Sequence, residues 1–203
     1  IGGGLVRIND NYAIFSETAN FAGAGVFHYY GRNNGGTFEK ISRTVFNPNG
    51  TATAAMSIGV GIDGNNIIAS SAGDTGDATS ANQVSFFQRQ NNAMVKTLDT
   101  FSDSVISNGF GRRSAIHGNF AVSVNDPIDA NASSGTLTFY RKQNDGTWVI
   151  ESTDTPDIGL NRLGMLGKFD GLDIYGNYVA VTAPFPTNVT TGTGQVLIYS
   201  RKY

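Results

Sequence analysis

One short motif recurs four times along the 203-residue chain, and that recurrence constrains the fold more than any other feature. Asp10-Asn11-Tyr12-Ala13-Ile14 returns as Gly64-Asn65-Asn66-Ile67-Ile68, as Gly118-Asn119-Phe120-Ala121-Val122 and as Gly176-Asn177-Tyr178-Val179-Ala180, at spacings of 54, 54 and 58 residues. A second landmark follows each copy: Gly25-Val26-Phe27-His28-Tyr29-Tyr30, Asn82-Gln83-Val84-Ser85-Phe86-Phe87, Gly135-Thr136-Leu137-Thr138-Phe139-Tyr140 and Gly194-Gln195-Val196-Leu197-Ile198-Tyr199. A third is Gly36-Thr37-Phe38-Glu39-Lys40-Ile41, echoed by Ala93-Met94-Val95-Lys96 and Gly146-Thr147-Trp148-Val149-Ile150. Repeats of this period are supersecondary units that cannot bury an apolar face alone and do so by stacking on one another. The chain is therefore read as one domain, 1–203, of four repeats: 1–54, 55–108, 109–163 and 164–203.

Each repeat reads as four short strands, exemplified by Ser114–Ile116, Phe120–Val124, Leu137–Arg141 and Trp148–Glu151. Gly118-Asn119 and Asn144-Asp145-Gly146 supply tight turns between them. The segment joining the second and third strands is long and polar. No stretch carries a sustained 3.6-residue apolar period, so little helix is expected. In the third strand Tyr29, Phe86, Phe139 and Ile198 share one position, and Tyr30, Phe87, Tyr140 and Tyr199 share the next, on the opposite face. A sandwich strand would show one polar face, whereas a propeller blade packs on both sides. An all-β propeller of four-stranded repeats is thus expected in preference to a solenoid or a run of sandwich strands. The fourth repeat reaches Tyr203 after its third strand, so fifteen strands are expected and the last repeat lacks a fourth. An open blade of that kind invites strand addition. The sequence starts at Ile1 with no targeting segment, which is expected of a processed product or a piece of a longer one.

Phe110-Gly111-Arg112-Arg113-Ser114-Ala115-Ile116-His117-Gly118-Asn119-Phe120-Ala121-Val122-Ser123-Val124 resembles the FG-GAP repeat of integrin-α-like β-propellers. Gly176 to Pro184, which reads GNYVAVTAP, is close to the same family's strand ending in Ala-Pro. The second repeat has Met56-Ser57 at the Phe-Gly site, and the first has Gly2-Gly3. The resemblance spans almost the whole chain and implies a fold rather than an activity. Propellers of this family commonly have seven blades, so four repeats imply either a small closed ring or a larger one completed by further segments or a second chain.

Composition narrows the function classes. Fourteen Lys+Arg against 16 Asp+Glu give a net charge of −2, which removes the broad electrostatic case for nucleic acid or an anionic membrane. No uninterrupted apolar stretch is long enough to span a bilayer as a helix. The absence of Cys excludes a disulfide scaffold, a zinc finger and thiol catalysis. Twenty-six Gly, 20 Asn and 35 Ser+Thr, with only 15% charged residues, suit many short strands joined by turns.

Integrin-type propellers often hold calcium in loops of alternating Asp, where hard oxygen ligands converge within one turn. No such run occurs here. The nearest candidates are Asp74 with Asp77 and Asp126 with Asp129, and pairs three apart are also common in polar loops; no cofactor is expected, with calcium the one alternative. His28 and His117 belong to no spacing that suggests a nucleophile–base pair or a transition-metal centre. Ile1-Gly2-Gly3-Gly4 and Gly192-Thr193-Gly194 lack the Lys-Ser/Thr ending of a phosphate loop. Glycosylation sequons start at Asn49, Asn131 and Asn188, about the number chance supplies in so Asn- and Ser/Thr-rich a chain. Tyr30, Phe87, Tyr140, Tyr199 and Trp148 could stack on sugars, but their regular placement favours packing between repeats.

The expectation is a non-enzymatic, extracellular or surface module that recognises a protein or glycan through 15–25, 70–82, 125–134 and 184–194. A structural subunit of a surface assembly or filament, completed by strand addition at the last repeat, is the alternative. A hydrolase on a propeller scaffold is the third reading, and would need a converging acid or His pair.

Overall fold

A computed structural model describes residues 6–17, 25–46, 56–71, 82–91, 93–103, 108–127, 135–156, 171–183 and 194–201. The described residues form fifteen strands and no helix, arranged as four antiparallel sheets. The first sheet holds β1 (Val6–Ile8), β2 (Tyr12–Glu17), β3 (Gly25–Arg32) and β4 (Phe38–Phe46). The second holds β5 (Met56–Asp63), β6 (Asn66–Ser71), β7 (Asn82–Gln90) and β8 (Ala93–Asp103). The third holds β9 (Asn108–His117), β10 (Phe120–Pro127), β11 (Thr136–Lys142) and β12 (Trp148–Asp154). The fourth holds β13 (Leu172–Tyr175), β14 (Tyr178–Ala183) and β15 (Gln195–Ser200). Every sheet is an up-and-down meander of consecutive strands, as short connections favour.

Turn chemistry sets the register. Gly64, Gly118 and Gly176 all have φ between +53° and +59° and occupy the first central position of the hairpin joining the first two strands of their sheets. A side chain there would resist the left-handed backbone that such turns require. The first sheet reaches the same turn differently: Asn9 Oδ1 accepts the backbone N–H of Asn11 at 3.1 Å and of Tyr12 at 2.8 Å. The strands run somewhat past the spans read from the sequence. β10 continues to Pro127 because Asn125 still pairs with Thr136 and Asp126 with Gly109 across a bulge. The Phe110-Gly111 pair accordingly lies inside β9 rather than ahead of it. A second bulge falls at the third-strand aromatic pair in three sheets, at Tyr29/Tyr30, Ser85/Phe87 and Phe139/Tyr140.

The sheets stack in chain order, and each has a leading face toward the sheet that follows and a trailing face toward the one before. Ile14 and Tyr29 lead from the first sheet onto Val60, Ile67, Ala69 and Phe87 of the second. Ile68, Val84 and Phe86 lead from the second onto Ile116, Ala121, Tyr140 and Trp148 of the third. Val122, Val124 and Leu137 lead from the third onto Leu172, Ile174, Val179 and Val181 of the fourth. Because side chains alternate along a strand, this arrangement needs two apolar faces on the middle sheets, and both faces there are buried. The seam between the second and third sheets is the most aromatic: Phe86 stacks on Trp148 at 4.2 Å and meets Tyr140 edge-on at 5.4 Å. At the same seam Gly61 brings β5 so close to β9 that a Cβ would stand 3.0 Å from the Ala115 Cα. β9 lies against β5 on one side and β13 on the other, so the sheets converge along their first strands.

Candidate functional site

A cleft lies on the seam between the third and fourth sheets. Its volume is about 540 Å³, within the range of small-molecule sites. Phe120 and Phe139 on the third sheet and Tyr199 on the fourth form its apolar wall, with the Phe139 and Tyr199 rings 5.6 Å apart. The polar wall comes from β12, where alternation places Ser152 and Asp154 on one face and the bulge opposite Phe139/Tyr140 adds Glu151 to the lining.

Each carboxylate is engaged by the facing sheet. Arg201 Nη2 donates to Glu151 Oε1 at 2.6 Å, and Arg141 Nε lies 3.7 Å from the same oxygen. The Arg201 guanidinium also lies 3.6 Å above the Phe120 ring, a cation–π contact that orients it. Tyr199 OH donates to Asp154 Oδ2 at 2.8 Å. Burial, and then the neighbouring Asp154 carboxylate, push the Tyr199 hydroxyl well above the ordinary tyrosine range. Tyr199 therefore stays a neutral donor at any physiological pH. The cleft offers carboxylate acceptors beside aromatic faces, a lining suited to holding a hydroxyl-rich or cationic group.

The contact made by Arg201 recurs along the stack. Within one residue of the end of each third strand stands a basic residue, Arg32, Arg89, Lys142 or Arg201, whose backbone N–H donates to the turn Asn carbonyl of its own sheet at 2.8–2.9 Å. In the second, third and fourth sheets the side chain then crosses to the preceding sheet, to the residue after that sheet's turn. Arg89 reaches Tyr12, lying 5.0 Å from its ring centre and donating to its hydroxyl. Lys142 Nζ donates to Asn66 Oδ1 at 2.9 Å. A second row runs through the residue before each Gly-Asn turn. Asp63 Oδ2 accepts the Gly118 N–H at 2.5 Å and lies 4.0 Å from His117 Nδ1, and the His117 ring lies 4.9 Å from that of Tyr175.

The residues singled out from sequence are placed unevenly. Asp74, Asp77, Asp129, Asn49, Asn131 and Asn188 lie outside the described residues, and Asp126 is described only as the β10 partner of Gly109. Among the described residues no three His, Cys, Asp or Glu side chains gather as a metal site. His28 lies on the trailing face of the first sheet, 6.0 Å from the Phe15 ring and far in sequence from His117. Phe87, Tyr140 and Trp148 are buried between sheets. Among the described residues no helix is long and apolar enough to cross a membrane.

Sequence reading missed Glu151, Asp154 and Arg201 as a cluster, and it missed the Asp63–His117–Tyr175 row. The signal for both was present as equivalent repeat positions, since 63, 117 and 175 each precede a Gly-Asn turn and 89, 142 and 201 each stand within one residue of a third strand's end. No family model and no curated protein matches this sequence.

Proposed function

We propose that the four sheets are blades of a β-propeller similar to the FG-GAP type, working as a non-enzymatic recognition module at a cell surface or outside the cell. One observation carries the reading. In every sheet the second strand ends and the third begins at the same end of the stack, at Glu17/Gly25, Ser71/Asn82, Pro127/Thr136 and Ala183/Gln195. The strand ends that flank 18–24, 72–81, 128–134 and 184–194 therefore share one side of the stack. The sequences of those four segments differ, whereas three of the four turns at the opposite end are Gly-Asn and the fourth is Asp10-Asn11. Variable segments on a repetitive, well-packed scaffold are how loops carry binding. Convergence along the first strands and burial of both faces in the middle sheets support the blade arrangement.

The test is a glycan and protein array probed with the chain and with versions in which each of the four segments is replaced by Gly-Ser of equal length. The expected result is a ligand lost on replacing one or two segments while the far-ultraviolet circular dichroism stays unchanged. A ligand that survives replacement of all four segments, or turnover of an arrayed substrate, would overturn it. The alternative of strand addition draws on β15, which pairs only with β14 among the described residues. A peptide of strand-forming sequence that protects the β15 amides from hydrogen exchange would favour that reading.

A further inference from the structure

The three seams within the stack are built from one register, and the same register leaves two faces uncovered. On the leading face, Phe86 of the second sheet is fully buried, while Ile198 at the same repeat position of the fourth is 63% exposed. On the trailing face, Val60 of the second sheet is fully buried, while Val6 at the same position of the first is 56% exposed. Tyr178 and Val196 extend the first of these patches and Ile8 the second. Among the described residues the buried clusters join neighbouring sheets, and none combines residues of the first and fourth.

We propose that these two faces are the halves of a head-to-tail interface between copies of this chain, in which Arg32 of one copy lies over the Tyr178 ring of the next. The recurring basic contact identifies the pair. Arg89 meets Tyr12, Lys142 meets Asn66 and Arg201 meets Phe120, each time from within one residue of a third strand's end to the residue after the preceding sheet's turn. Tyr178 is the next residue in that second series, and Arg32 is the basic residue of the first series for which the described residues supply no preceding sheet. Among the described residues Arg32 bonds carbonyls of its own repeat, Gly36 O at 3.1 Å and Asp10 O at 3.4 Å, on an exposed surface where exchange for a partner costs little. The occupant is a second copy because the face that fits the fourth sheet is the trailing face of this repeat, and the first sheet presents one. The two faces differ, so the contact is heterologous: it adds copies in one direction and ends only where a ring closes.

Sedimentation and light scattering across micromolar concentrations test this. The expected result is a concentration-dependent mass at multiples of the 21.5 kDa chain. Tyr178→Ala should raise the dissociation constant about tenfold. Arg32→Glu and Ile198→Asp should each abolish self-association with thermal stability unchanged, because both side chains are exposed in the single chain. Mixed together, those two variants retain one intact face each, and should form a 1:1 pair that grows no further. The chain has no cysteine, so Arg32→Cys with Tyr178→Cys and a short bis-maleimide should give products linked between chains. A monomer at every concentration, a crosslink formed within one chain, or variants that fail to pair on mixing would each overturn the proposal.

Discussion

Replacing Phe86 with Ala tests the stacking of the sheets at its most heavily loaded point. The ring is fully buried, lies parallel to Trp148 at 4.2 Å with an interplanar angle of 10°, and meets Tyr140 and Phe101 edge-on. Truncating a buried Phe costs about 3–5 kcal/mol when the surroundings collapse only partly. The aromatic partners add roughly 0.5–1.5 kcal/mol per ring pair beyond area burial. Collapse is hindered here because Gly61 already holds β5 against the β9 backbone, so a loss of about 4 kcal/mol is expected. For a chain of this size that lowers Tm by roughly 8–16 °C. Val95→Ala, 40% exposed on β8, is the control and should stay within about 0.5 kcal/mol. The chain's single Trp supplies a local reading, since Trp148 is 3% exposed and its emission should move to longer wavelength as the cavity admits water. Denaturant titration followed by Trp fluorescence and by circular dichroism would measure both. A cost below about 1 kcal/mol with unshifted emission would show that the second and third sheets do not pack face to face.

Other consequences are open to simple measurement. Gly61→Val forces a branched side chain against the Ala115 Cα and Ile116 N, and should destabilise by about 1–3 kcal/mol in urea melts; a neutral result would mean that β5 and β9 stand further apart. Arg201→Ala removes the Phe120 and Glu151 contacts together and should cost about 1 kcal/mol, while Arg201→Lys keeps the charge and should recover only part of it. Burial raises the hydroxyls of Tyr29, Tyr140 and Tyr199 above the ordinary tyrosine value. The stability tied to these three protonated groups is present below about pH 10, where unfolded tyrosines ionise, and is lost as pH rises toward their folded values. In a spectrophotometric titration they should ionise only with unfolding, and normal titration of all eight tyrosines in the folded chain would contradict this.

The alternation of residues revealed the sheets but not the cleft. Tyr29/Tyr30, Phe86/Phe87 and Phe139/Tyr140 announce double-sided burial because neighbouring strand residues point to opposite faces. Gly118-Asn119 and its relatives announce hairpins because few residues accept positive φ. The repeat position of Arg201 marks it as one of a series, but Glu151 and Asp154 join it only because the fourth sheet is laid on the third. Likewise Asp63 and His117 are 54 positions apart and become neighbours when one sheet is laid on the next. The third-strand bulge had no local signal either, since it consists of unpaired residues of the fourth strand that show only once the two strands are set in register.

The up-and-down order of strands also governs how the molecule comes into being. Every sheet is assembled from adjacent strands, so its pairing is complete before residues of the following sheet are needed, and only loops within one repeat have to close. As the chain emerges from the ribosome, Ile14 and Tyr29 must wait in water for Val60 and Phe87, then Ile68 and Phe86 for Ile116 and Trp148. At each pause the growing end displays a fresh apolar surface, and the next forty-odd residues to be synthesised are its intended cover. The speed of translation through 47–55 and 104–107, which link one sheet to the next, thus sets how long that surface stays open to chaperones or to the wrong neighbour.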